Sequence, residues 1–430
     1  MSSRLPLTRI HLMALILVIF IALNGVWLNI FSTQDNRLSD MFVRGIAAKL
    51  AADPDIVIVD IDEASIAKMQ DVAGSWPWPR AVHGELLQGI ARQHPTAIVF
   101  DLLFSEPDRY RPESDAMFNE VLRDLHNVYF PMLQLAGNQA NGTLLTELAK
   151  LTDVPHRANA DQNARAILMP PQAIDPASWR VGLVNFTEDQ DGIGRHYDVR
   201  RDIGGWFVES LPTRLMRDLH IATPDQAQII LHWRGGQSPY KHLSYSDLYA
   251  DQSREKPLRD QRELAGKIVI IGSSATGLHD LRDTPISSLY SGTEILATAI
   301  DNLKNQRHTT AAPAYFSSLL ALLLVAFLLP LFARRMDASQ IGGILLLVTI
   351  LLLAAQYFAM TRMTSVAMFT PLLFGWLFYF AAALSEYLRE KASREQTVRI
   401  FSRFLDPRVV ESLVAQGETP QSLSSQARDI

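Results

Sequence analysis

Two kinds of apolar patterning alternate along this chain. Residues 10–30, 314–333, 341–360 and 363–384 each run without an acid, a lysine or an arginine. Roughly 20 apolar residues cross the hydrocarbon of a bilayer, so each run predicts a transmembrane helix. The long segment between the first and second runs, residues 31–313, has a different texture. Short β-branched runs recur there: "DIVIVDID" at 55–62, "AIVFDLLF" at 97–104, "VYFPMLQL" at 128–135, "QIILHW" at 228–233 and "KIVIIG" at 267–272. Helical spacing appears at 80–93, 207–219 and 293–306. "VGLVNF" (181–186) and "RHYDVRRD" (195–202) flank an Asp-Gly-Ile-Gly turn and predict a hairpin. Residues 135–171 and 251–262 are polar and irregular, which predicts loops. Strands alternating with helices predict an α/β domain with a mixed, partly parallel sheet and flanking helices. Runs apolar on both faces suit a sheet covered on both sides.

Basic residues orient the spans. Arg4 and Arg9 precede the first span, Arg334 and Arg335 lie between the second and third, and Arg389, Lys391, Arg394 and Arg399 follow the fourth. With four crossings these groups share one side, and Arg362 alone marks the turn opposite. The expectation is a cytoplasmic N-terminus (1–9), an extracytoplasmic domain (31–313) and a cytoplasmic segment (385–430). The first apolar run is too long for a signal-peptide core, and no Ala-x-Ala site follows it, so it reads as an uncleaved anchor. No acid, Lys or Arg falls inside a span, which argues against a transporter or channel.

Composition narrows the chemistry. The net charge of −5 gives no reason to expect a nucleic-acid partner. The chain contains no cysteine, which excludes disulfides, thiolate metal sites and thiol redox sensing. Asp60, Asp62 and Glu63 follow one apolar run and Asp101 sits in the next. Ligands in open α/β sheets bind at the carboxyl ends of strands, so these acids are ligand candidates; they also suit the start of a following helix. The glycine loop "GSSATG" (272–277), with Ser273 and Ser274, is able to cradle an anion or to form a tight turn. It lacks the Lys-Ser/Thr of a P-loop. In "SWPWPR", Trp76 and Trp78 form either an aromatic wall or a seal on the core, with Arg80 pairing a ligand acid or a strand-end acid such as Asp62. Asp280, Asp283 and Thr284 join Asp60 and Asp101 only if their strands are neighbours. His83, His94, His196 and His279 lack metal-ligand spacing and read as surface residues. No catalytic constellation is visible.

Specific stretches then carry a resemblance. "PDIVIVDIDEAS", "SWPWPR", "AIVFDLLFSEPD", "LAGKIVIIGSSATGLHDLRDTPI" and "SGTEILATAIDNL" occur in that order across residues 35–307. Together they resemble the CHASE type 2 sensor of bacterial cyclases and histidine kinases. The resemblance implies a sensor followed by three membrane helices and a cytoplasmic output domain, in a bacterial inner membrane, with an unidentified extracytoplasmic ligand. "FSRFLDPRVVESLVAQGE" (401–418) resembles the linker before a class III cyclase domain, with Asp406-Pro407 as a helix start. On that resemblance an output domain is expected beyond Ile430; it would convert ATP to cyclic AMP with Mg or Mn ions, while residues 1–430 themselves hold no cofactor. A kinase output, or a binding protein with no output, are the alternatives. Residues 385–405 predict a charged transducer helix with an interrupted coiled-coil seam, either a homodimer contact or a single helix.

Overall fold

The computed structural model describes residues 5–401 apart from 237, 276, 277, 279 and 314; the Asp406-Pro407 helix start and residues 402–430 lie outside them. The chain divides into two compact units, one of apolar helices and one α/β unit spanning chiefly Thr33–Ala312.

In chain order the helices are α1 (Leu5–Leu23), α2 (Ser32–Ala47), α3 (Glu63–Ala73), α4 (Arg80–Ala91), α5 (Pro112–Arg123), α6 (Leu145–Leu151), α7 (Leu211–Asp218), α8 (Tyr245–Gln252), α9 (Gly292–Lys304), α10 (Tyr315–Ala333), α11 (Ala338–Thr361) and α12 (Phe369–Phe401). The main sheet contains seven strands: β1 (Ile56–Ile61), β2 (Ala97–Phe100), β3 (Val128–Gln134), β4 (Leu168–Met169), β5 (Val181–Leu183), β6 (Lys241–Ser244) and β7 (Ile268–Ser273). Its order is β6-β1-β7-β2-β3, and β4 and β5 both pair with β3. All pairings are parallel except β3 with β4.

The strand side chains divide by period two, as a pleated strand requires. Val57, Val59, Ile61, Ile98, Phe100, Val269 and Ile271 enter one core, where Leu86, Leu87 and Ile90 of α4 cover them. Ile56, Ile58, Val99, Ile268 and Ile270 enter the other, under Leu215 of α7 and Ile295, Leu296, Ala299 and Ile300 of α9. Burial on both faces explains why β1 and β7 show no hydrophobic alternation.

Three sequence expectations are corrected. The 181–186/195–202 hairpin does not form: Val181–Leu183 pairs with β3, and His196–Asp198 pairs with Gln228–Ile230. The intervening turn is organised instead by Arg195, whose guanidinium grips Asp189 and Asp191. A hairpin does form at Arg200–Ile203 with Trp206–Glu209, across Gly204-Gly205 at φ +60° and +88°. The helix expected over 207–219 therefore begins only at Leu211, with Ser210 as its cap. The span expected from Met363 starts later, at Phe369, just before Pro371. Thr364–Ser365 forms a short ladder with Thr310–Ala311 instead.

In the helical unit, Ile21 of α1, Val325 and Phe332 of α10, Ile341 of α11 and Phe374 of α12 share a small core. Among the described residues three helices are long and apolar enough to cross a membrane: Tyr315–Ala333, Ala338–Thr361 and the Phe369–Thr397 part of α12. The apolar part of α1, Ile10–Leu23, is shorter. At about 1.5 Å per residue, the 33 residues of α12 span roughly 50 Å, more than a bilayer's hydrocarbon. The expected transducer is thus, as far as Phe401, a continuation of the last apolar helix.

Candidate functional site

The neighbour relation on which the sequence expectation depended is met, because β7 lies between β1 and β2. Asp60 stands opposite Gly272, and Phe100 opposite Ile271. The carboxyl ends of the three strands therefore meet, at the crevice where parallel sheets present ligand sites.

A cavity of about 490 Å3 opens there. The end of β2 gives it Asp101, Leu102 and Leu103, and β3 gives Pro131 and Leu133. Val184, Asn185 and Phe186 follow β5 into its wall, with Tyr197 beyond them. The first turn of α9 forms another side through Gly292, Thr293, Ile295 and Leu296. Trp76, Ser273, Leu278, Asp280 and Arg282 complete the lining. The close approach of α9 depends on Gly272, since a Cβ there would lie 2.3 Å from Thr293 Oγ1.

Polar groups are fixed at this end of the cavity. The Thr293 hydroxyl donates to Asp101 Oδ2 at 2.6 Å, and the Asp101 amide donates to Ile271 at 2.8 Å. Burial pushes the Asp101 carboxyl up to about 7; the Thr293 hydrogen bond opposes this and the Asp280 carboxylate adds to it. Asp280 sits over Gly292, whose amide donates to the Asp280 carbonyl at 2.8 Å. A Cβ on Gly292 would meet Asp280 Oδ2 at 2.3 Å, so glycine makes room for the carboxylate. Arg282 Nε donates to Asp280 Oδ1 at 2.6 Å, and its Nη1 lies 3.6 Å from Glu188. Tyr197 is 2% exposed, and its hydroxyl has no partner among the described residues.

Beside the cavity lies a closed network. Asp60 accepts from the Ser274 amide at 2.9 Å and the Ser274 hydroxyl at 2.6 Å. His242, on edge strand β6, joins Asp60 through Nδ1 at 3.0 Å and Glu294 through Nε2 at 2.7 Å. Burial works against charge on His242, but the bonds to Asp60 and Glu294 win and raise it to about 9. Burial likewise disfavours the Asp60 carboxylate, yet His242 and Ser274 hold it below the usual range. This imidazolium between two carboxylates ties β6, β1 and α9 together.

Of the residues singled out in the sequence, Trp76, Asp101, Ser273 and Asp280 line the cavity. Asp60 and Ser274 are bonded to each other in the closed network. Asp62 caps α3 by accepting from the Ser65 amide at 2.6 Å, and Glu63 is the exposed first residue of that helix. Trp78 is buried against Tyr245 and His83. Arg80 pairs with Asp115 at 2.7 Å, not with Asp62, because α5 brings Asp115 beside the start of α4. His83 is a core residue and not a surface one: burial lowers it to about 3, and Tyr245 bonds its Nδ1 at 3.0 Å. His279 lies outside the described residues. Sequence reasoning passed over Tyr197, Thr293, His242 and Glu294. Thr293 and Glu294 lie inside "SGTEILATAIDNL", where an acid beside a Gly-Thr helix start was the available signal. Among the described residues no group of three His, Asp or Glu is set to hold a metal ion.

The described residues thus form an α/β domain with a cavity at the strand ends of a covered parallel sheet, together with three membrane-length helices. The chain belongs to the CHASE2 family: the CHASE2 domain matches residues 13–332 of its 430. CHASE2 is a sensor domain found in signal-transduction proteins. No curated protein and no solved structure gives a match to this chain.

Proposed function

We propose that this chain is a membrane-bound sensory receptor whose stimulus site is the strand-end cavity. The observation that carries the reading is the position of α9. Its first turn lines the cavity, and eleven residues after Lys304 the same chain enters α10 at Tyr315. A stimulus that favours one arrangement of that turn acts on an element that a ten-residue connection joins to a membrane helix. In this reading α1, α10, α11 and α12 are four spans, the α/β domain is periplasmic and residues 1–9 and 385–430 are cytoplasmic; the basic residues at 334, 335, 389, 391, 394 and 399 support it. The resemblance of residues 401–418 to a cyclase linker supports a class III nucleotide cyclase as the output, acting as a homodimer with Mg or Mn ions.

The absence of native cysteine makes the topology directly testable. Tyr110→Cys, on a loop residue 94% exposed, and Ser393→Cys, in the charged part of α12, are each introduced alone. A membrane-impermeant maleimide applied to intact spheroplasts is expected to label the first and to reach the second only after lysis. Labelling of both positions from outside contradicts the reading.

A further inference from the structure

We propose that the strand-end cavity takes a small organic cation with an apolar body, its ammonium or guanidinium group set between the Asp101 and Asp280 carboxylates with the Tyr197 hydroxyl as a further acceptor. The proposal rests on the reading of this cavity as the stimulus site and names the chemistry of what enters it.

Three observations carry it. First, the polar end of the cavity is rich in acceptors. Asp101 Oδ2 is taken by Thr293, and no described residue donates to its Oδ1. Asp280 Oδ1 is taken by Arg282, and no described residue donates to its Oδ2. A ligand must therefore bring hydrogen-bond donors. Second, the charge is negative. Among the described lining residues Arg282 is the one cation, and it stands between Asp280 and Glu188. The positive end of α9 offsets part of this charge. Burial and the Asp280 carboxylate still leave Asp101 poorly ionised, and a bound cation would correct that. Third, Tyr197 is 2% exposed, faces this cavity and has no partner for its hydroxyl among the described residues. A buried polar group left unpaired is costly, and a ligand N–H removes the cost. Trp76, Pro131, Leu133, Val184 and Phe186 supply the wall for an apolar body. Aromatic faces also attract cations.

The test uses the purified full chain in nanodiscs, with isothermal titration calorimetry of three matched probes. Phenethylammonium is expected to bind at least about tenfold more tightly than 2-phenylethanol, and 3-phenylpropanoate more weakly still, since a charge-assisted hydrogen bond is stronger than a neutral one. Asp101→Asn and Asp280→Asn are each expected to remove the preference for the amine over the alcohol. Tyr197→Phe keeps the fold, because it deletes an unpartnered hydroxyl; its melting temperature should be unchanged or higher while amine affinity falls several-fold. Alcohol or carboxylate binding as well as the amine overturns the cation assignment and keeps the cavity as a site. Equal amine binding by wild type, Asp101→Asn and Asp280→Asn also overturns it. Saturating failure of all three probes to bind counts against the cavity itself, and so against the reading beneath.

Discussion

Asp101 carries an energetic cost that the fold retains. Its carboxyl is raised to about 7 in the folded chain, against an ordinary value of 3.8. The folded state thus holds a proton that the unfolded chain has released, so stability is fullest below pH 3.8 and declines as pH rises through about 7. The melting temperature of the wild-type chain should therefore fall between pH 5 and pH 8 relative to Asp101→Asn, with the two curves converging at the acid end. A constant gap across that range would show that Asp101 does not titrate there. A carboxylate raised by burial in a cleft marks a candidate functional site. His242 has the same sign for a different reason, because Asp60 and Glu294 hold its charged form. Its pKa rises from 6.5 to about 9, so its contribution is complete below 6.5 and is lost as pH climbs through about 9. His242→Ala leaves Asp60 and the buried Glu294 without their shared cation. Breaking a buried pair costs about 3–5 kcal/mol, so at neutral pH a large fall in melting temperature is expected, shrinking above pH 9. At residue scale the acids at the strand ends were legible, since Asp60 and Asp101 each follow an apolar run. Tyr197 was not, because an aromatic in a short strand looks like ordinary core until its hydroxyl is seen to lack a partner.

Among the elements, α2 depends on one arginine. Arg195, 5% exposed, contacts Asp40 of α2 at 2.7 Å, Asp189 at 2.7 Å and Asp191 at 2.9 Å. Arg195→Gln leaves three carboxylates facing one another, and amide exchange across α2 should accelerate by more than tenfold, an effect of roughly 1.4 kcal/mol or more. Exchange confined to the 189–195 turn would contradict that clasp. Gly272→Ala should have a similarly local origin: the added Cβ displaces Thr293 and with it the first turn of α9. The expected result is weaker probe binding in a chain that still folds, read by calorimetry and thermal melting. Elements with dense apolar pattern, such as β1, β7, α4 and α9, were readable in the sequence. Strand β6 was not, because "KHLS" buries only Leu243 fully and owes its conformation to its pairing with β1. The misplaced hairpin had a physical cause as well. The turn at 191–194 looked like a strand reversal, while Val181–Leu183 was claimed by the edge of β3. The Gly204-Gly205 pair was a hairpin signal that went unused.

For the whole molecule, the main fact is continuity. The sheet sets the ends of β1, β7 and β2 together, although β2 and β7 are separated by more than 160 residues. No local pattern in the sequence encodes that adjacency. One helix then lines the resulting cavity and precedes α10, and the last apolar helix runs without a break into a charged stretch. The account therefore requires that occupation of the cavity be felt by α9. Hydrogen–deuterium exchange of the full chain in nanodiscs, with and without saturating phenethylammonium, tests this most directly. The account predicts slowed exchange centred on Gly292–Leu296 of α9, with the Asp101 and Asp280–Arg282 segments, and altered exchange along the connection to α10. Calorimetrically proven binding that leaves α9 unchanged, with protection elsewhere on the domain, would contradict it.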